Sequence, residues 1–220
     1  MKSFKYILLF LAFFVIAVII SFSFFKIKNN KDVVVFSPIA ETTTQKTSSF
    51  SLENAPTESL KGKITTMEGE INWQGRIATE PAKLSSPVAI QQGEKLITGE
   101  KSNLSLVFPD ACLVEFSEKT EVDVIQTLPA NIVFSQISGT GEYIKMGSYP
   151  VSIRIVNLLV EEDGDMVVFI DPEEPIVTLT IKSGKAIVAY NDSDFISREV
   201  ALVDGQTFIF NYDTRIGDLK

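Results

Sequence analysis

Histidine is missing from the 220 residues, and cysteine occurs once, at Cys112. A lone cysteine cannot close an internal disulfide, so the fold is not a disulfide scaffold. Without histidine, the commonest general base and metal ligand is gone. Ser–His–Asp and Cys–His catalysis and His-rich zinc sites go with it. Positive charge is also short. From Gly62 onward there are 13 Lys and Arg against 24 Asp and Glu, a balance of −11, where the whole chain carries −8. A phosphate backbone needs a basic face, so nucleic acid is not an expected partner. After Gly62 no long capped helical period occurs, and no fixed-period repeat.

One long apolar run is present. Residues 6–25 read YILLFLAFFVIAVIISFSFF, with Ser21 and Ser23 as the only clearly polar members. Twenty helical residues span about 30 Å, the thickness of a bilayer core. A signal peptide has a shorter apolar core, about 7–15 residues, and a small-x-small cleavage site. Ser21-Phe22-Ser23 only weakly imitates one. The run is therefore expected to be an uncleaved signal anchor. Lys2 and Lys5 on one side and Lys26, Lys28 and Lys31 on the other leave the positive-inside rule undecided. Orientation follows instead from mass: five residues precede the run, and everything that can fold follows it. The expected organisation is a cytoplasmic tail (1–5), a single transmembrane helix (6–25), a polar Ser/Thr-rich stalk (26–61) and a β domain (62–220). That makes a single-pass cell-membrane protein with its C-terminal domain extracytoplasmic. The stalk sequence, rich in Ser, Thr and Pro, buries too little to offset its ordering entropy.

From Gly62 the period changes to two. Leu104, Leu106 and Phe108 alternate with Ser105 and Val107, and Cys112, Val114 and Phe116 with Leu113 and Glu115. Val122 and Val124, then Val151, Ile153 and Ile155, repeat the pattern. Such alternation marks strands with one buried and one wet face. Turn signals separate the runs: Gly93-Glu94, Gly99-Glu100, Pro109-Asp110, Leu128-Pro129, residues 138–141, Asp163-Gly164, Asp171-Pro172, Ser183-Gly184, Asn191-Asp192 and Asp204-Gly205. The rhythm predicts an all-β domain, an antiparallel sandwich or roll of short strands. Leu104, Leu106, Phe108, Val114, Phe116, Ile153, Leu179 and Phe208 are the expected core.

The stretch GEKLITG at 93–99, followed by Ser102, Leu104, Leu106, Phe108, Asp110, Thr120 and Val122, resembles the FecR-type domain. Residues 176–190 and Val200-Ala-Leu-Val-Asp-Gly-Gln206 resemble its closing strands. The resemblance runs from Gly62 to Tyr212 and implies an extracytoplasmic all-β module behind one membrane helix. Iron-uptake sensors of that family also hold a sigma factor through a cytoplasmic helical domain. Residues 1–5 are too short for such a domain, so sigma-factor regulation is not carried over. Asp110-Ala111 stands where the family has Asp-Gly, and residues 161–175, with two acidic turns, replace its middle section.

Each candidate site has a plainer reading. Glu161-Glu162-Asp163-Gly164-Asp165 has the oxygen density of a calcium loop but only a fragment of the spacing, and reads better as an Asp-Gly hairpin turn. Residues 171–175 (DPEEP) read as a Pro-bounded acidic loop. Trp73 is either an exposed stacking platform for a sugar or a half-buried ring closing a sheet edge that needs one hydrogen-bond partner, the second being preferred. Cys112 lies on the apolar alternate of its strand and reads as a small buried hydrophobe. Residues 138–142 (SGTGE) have the glycines of a phosphate loop without its Lys or helix, and read as a turn. No catalytic, cofactor-binding or metal-ligating residue is assigned. The expected function is a membrane-anchored, non-catalytic FecR-like module for binding or assembly at the cell envelope, with a protein or cell-surface polymer as partner. The alternatives are a cell-surface carboxylate-based hydrolase, which requires two carboxylates facing across a pocket, and a sensor signalling through a partner protein.

Overall fold

The computed structural model describes residues 55, 56 and 58–220. The apolar run 6–25 and nearly all of the stalk lie outside the described residues. Among those described there is no helix, and so none long and apolar enough to cross a membrane. The chain forms β1 (Gly62–Glu68), β2 (Ile71–Gln74), β3 (Ala82–Lys83), β4 (Ala89–Ile90), β5 (Glu94–Thr98), β6 (Asn103–Phe108), β7 (Cys112–Phe116) and β8 (Glu121–Leu128). It continues as β9 (Asn131–Lys145), β10 (Val151–Ile155), β11 (Leu158–Ile170), β12 (Ile176–Asn191), β13 (Ser197–Val203), β14 (Thr207–Asn211) and β15 (Ile216–Leu219).

These strands make one continuous sheet that folds over itself. One layer runs β4-β1-β6-β7 and on through the second halves of β9 and β11 to the first half of β12, β14 and β15. The other runs β3-β2-β5-β8, then the first half of β9, β10, the first half of β11, the second half of β12 and β13. Three long strands thus serve both layers: β9 with 15 residues, β11 with 13 and β12 with 16. Short strands throughout were expected, and so were turns at residues 138–141, 163–164 and 183–184. Those glycines instead lie inside the long strands, where they permit the bend from one layer to the other. Gly164 and Gly184 face each other in the ladder. A Cβ on Gly184 would come within 2.4 Å of the Asp163 carbonyl oxygen, and its φ of 83° suits no other residue as well.

The sheet is mixed rather than antiparallel, because β9 and β10 pair in parallel, Val151 beside Ile132 and Ile155 beside Gln136. Parallel neighbours need a crossover of a dozen residues or so. Residues 137–150 supply it: the second half of β9 travels through the other layer before the chain returns.

Burial follows the alternation. All eight expected core residues are buried. Phe108 of one layer meets Phe134 of the other edge-on at 5.6 Å, and Phe134 packs on Tyr143 at 5.7 Å. Truncating such a leucine to alanine costs about 2–5 kcal/mol. The polar residues of the 93–122 stretch hold backbone together. Thr98 Oγ1 donates to the Ser117 carbonyl at 2.6 Å and accepts from the Thr120 N–H at 2.8 Å. Ser102 Oγ accepts from the Glu70 N–H at 2.8 Å, and a Cβ on Gly69 would strike that same oxygen. Asp110 takes a φ of 58° in the β6–β7 turn, a conformation that aspartate tolerates better than most residues. Ala111 after it is fully buried.

Candidate binding site

Leu158, Val160 and Glu162 occupy successive inward positions of β11. The period of two that buries Leu158 and Val160 therefore buries a carboxylate as well. Glu162 retains 4% of its exposure. Its row across the sheet is Val151 on β10 and Ala186 on β12, both buried and neither able to donate through its side chain. Neither carboxylate oxygen has a hydrogen-bond partner among the described residues.

The ladder explains the isolation. β11 pairs with β10 up to Glu162, where β10 begins at Val151, and with β9 only from Asp165, opposite Ile144. Asp163 and Gly164 pair on the β12 side alone. Beside this change of neighbour lies an open cavity of about 520 Å³, a size usual for small-ligand sites, to which the Glu162 oxygens present almost no accessible surface. Asn131, Lys145, Val151, Ser152, Glu162 and Ala186 contribute to its wall. Asn131 and Ser152 hydrogen-bond each other at 3.1 and 3.2 Å. Lys145 donates to the Tyr149 carbonyl at 2.7 Å rather than to Glu162.

Burial pushes the Glu162 carboxyl up to about 8 from its ordinary 4.5; Lys145 pulls it down, while Asp165 and Asp163 push it further up. Beneath it, burial holds the Cys112 thiol far above its usual range, with Glu162 adding to the effect and Lys145 opposing it. Tyr143 is likewise pushed well up by burial, then by Cys112 and Glu162. Its hydroxyl donates to Gln136 Oε1 at 3.1 Å.

The structure disperses the candidates named from sequence. The acidic stretch 161–165 is strand, not a turn: alternation sends Glu162 inward and leaves Glu161 and Asp163 exposed. Three carboxylates in a row on one strand are not a facing pair. Among the described residues no three His, Cys, Asp or Glu side chains gather where a metal ion could be held. Residues 171–175 form the β11–β12 loop, where Asp171 Oδ1 accepts from the Glu173 and Glu174 N–H groups at 2.8 and 2.9 Å. Those bonds hold its carboxyl below the usual range. Trp73 is half-buried on β2, and its Nε1 donates to Glu94 Oε2 at 3.1 Å. Cys112 is fully buried on β7, on the same face as Val114 and Phe116. Residues 138–142 lie in β9. Sequence reasoning missed Glu162 as a residue apart. Extending the alternation of Leu158 and Val160 by one step would have found it.

No family model and no curated protein matches the chain. Among solved structures, it is similar to two crystal structures of a proposed anti-sigma factor from Parabacteroides distasonis ATCC 8503. Each is 15% identical, with a TM-score of 0.50, over 57% of this chain and 58% of that one. The chain thus matches a little over half the length of that protein. At this identity the likeness is one of fold.

Proposed function

We propose that this chain is a membrane-anchored, non-catalytic regulatory module of the cell envelope, with a FecR-like β domain that holds a protein partner outside the cytoplasm. The observation that carries the reading is the fold it shares with a protein named as an anti-sigma factor, over more than half of each chain. The 93–122 stretch agrees with it, since its Thr, Ser and Asp residues are those whose hydrogen bonds and turns build that fold. In this reading residues 1–5 are a cytoplasmic tail, 6–25 the anchoring helix, 26–61 the stalk and 62–220 the partner-holding domain.

The test uses the full chain. After crosslinking in intact cells and extraction in detergent, one discrete protein adduct is expected. Protease added to spheroplasts should cut the stalk within residues 42–58. Recovery of the chain alone would remove the partner. Protection of the stalk until the membrane is breached would reverse the orientation.

A further inference from the structure

The sheet ends in four strands, and three of them are short: β3 and β4 have two residues each and β15 has four. Short edge strands are one way in which proteins keep their sheets from pairing with other chains. β13 is the exception. Its seven residues pair with β12 alone among the described residues, in a regular ladder without a bulge. It carries no Pro and no Lys, the residues that most often guard an edge.

The ladder fixes which of its backbone groups face away from the sheet. The Asp192 N–H donates to the Ile196 carbonyl at 3.0 Å, so that pair is a hydrogen-bonded one. Bonded and non-bonded pairs alternate along an antiparallel ladder. Arg198, Val200 and Leu202 therefore bond to β12, while Ser197, Glu199, Ala201 and Val203 turn their N–H and C=O groups outward. Val203 is already satisfied. Its N–H donates to Gln206 Oε1 at 2.9 Å, and its carbonyl accepts from the Gln206 N–H at 3.0 Å. The outward groups of Glu199 and Ala201 have no backbone partner among the described residues, and both residues are exposed.

We propose that β13 pairs antiparallel with β13 of a second copy of this chain, about a two-fold axis at Val200. Charge and backbone together select that register. With Val200 opposite itself, Glu199 faces the partner subunit's Ala201, and each such pair exchanges N–H···O bonds in both directions. Centred on Glu199 instead, the strands would set like charges directly opposite each other, which is unfavourable. Centred on Ala201, they would set Glu199 against the partner subunit's Val203, whose backbone is taken by its own Gln206. Val200 packs on the core from a partly buried position. Opposite its own copy it gains apolar cover, so the pairing extends the core as well as the ladder. Arg198 is held aside by Asp192 at 2.7 Å. This interface goes beyond the partner proposed above and stands or falls without it.

Sedimentation of the full chain in detergent, with cysteine replacements oxidised by diamide, tests the pairing. The native Cys112 is fully buried and takes no part. A dimer is expected. Val200→Cys should link to itself, because residues opposite each other in a non-bonded pair lie about 4.5 Å apart at Cα, within reach of a disulfide. Arg198→Cys should not, because it faces the partner subunit's Leu202 rather than its own copy. Ala201→Pro removes an outward N–H that β12 does not use, so it should leave the fold intact. It should weaken dimerisation about tenfold to a hundredfold, the size of the lost backbone bonds. If Ala201→Pro melts early, the contrast between the two cysteines decides the matter. A monomer throughout, no linking by Val200→Cys, equal linking by Arg198→Cys, or undiminished dimerisation of a folded Ala201→Pro chain would overturn the proposal. So would Val200→Cys linking in membranes to a different protein, which would give the edge to a foreign strand.

Discussion

Two glutamates face the interior of this domain, and the two regions treat them oppositely. Glu94, at the start of β5, keeps 5% of its exposure, and its Oε2 accepts from the Trp73 indole at 3.1 Å and from the Gln91 N–H at 2.9 Å. Burial raises its carboxyl, and the bonds to Gln91 and Trp73 and the charge of Arg76 pull it back. Arg76 in turn donates to the Gln92 carbonyl, which ties the Arg76 loop to the start of β5. Glu162 is as deeply buried with none of this. Burial depth alone therefore does not distinguish a structural carboxylate from a candidate site. The difference is whether the fold supplies donors, and to the Glu162 oxygens the described residues supply none.

The comparison is broken most directly by pH. A carboxyl whose folded-state pKa is raised binds its proton more tightly in the native state, so stability is highest below the unfolded value and falls as pH rises toward the folded one. For Glu162 that window runs from about 4.5 to about 8. Between those limits the native state loses roughly 4 kcal/mol through this one group. Glu162→Gln should abolish most of that slope, read as melting temperature against pH. An unchanged slope would mean that Glu162 is already ionised and paired.

Glu94→Ala should act in the other direction. It strands the Trp73 and Gln91 donors and should cost about 2–3 kcal/mol near neutral pH, measured by denaturant unfolding. Near-neutral behaviour would make the Trp73 bond incidental. Cys112 sharpens the picture of what lies under the cavity. It is fully buried, and its thiol is held in the neutral form by that burial and by Glu162. A bulky thiol reagent should label it about a hundredfold more slowly in the native chain than in denaturant. Fast native labelling would mean that the cavity reaches β7. The smallest effect belongs to Asp163→Ala. That residue's ion pair with Lys185 is solvent-exposed, so its loss should stay within about 0.5 kcal/mol, calcium present or not. A large calcium-dependent shift in melting temperature would restore the metal loop that strand geometry has dissolved.

Much of the fold was legible before any coordinates. Alternation placed Leu104, Leu106, Phe108, Cys112, Val114 and Phe116 on the inner face, where they are. Turn chemistry marked Pro109-Asp110, Asn191-Asp192 and Asp204-Gly205, which do connect strands. The same chemistry misled at Gly139, Gly164 and Gly184. A glycine that turns a chain between two strands and a glycine that bends one strand between two layers look alike in sequence. Both are needed where a Cβ has no room or where φ must be positive. Nothing local tells which it will be, because the bend exists only if partners on both sides continue past it.

What the sequence determined by itself is the face of each strand and the residues able to form a core, because the side-chain period of two is local. It also set the chemistry available: oxygen ligands, one thiol, no imidazole. The neighbours were decided only by tertiary structure. Glu162 sits beside Val151 and Ala186 because β10 begins opposite it, just before β11 crosses toward β9. Those residues lie 11 and 24 positions away along the chain, as the numbering shows. Register between distant strands depends on how three long strands bend together. An acidic stretch that reads as a solvated turn thus becomes a strand with one carboxylate enclosed, its two oxygens without a donor from the rest of the described domain.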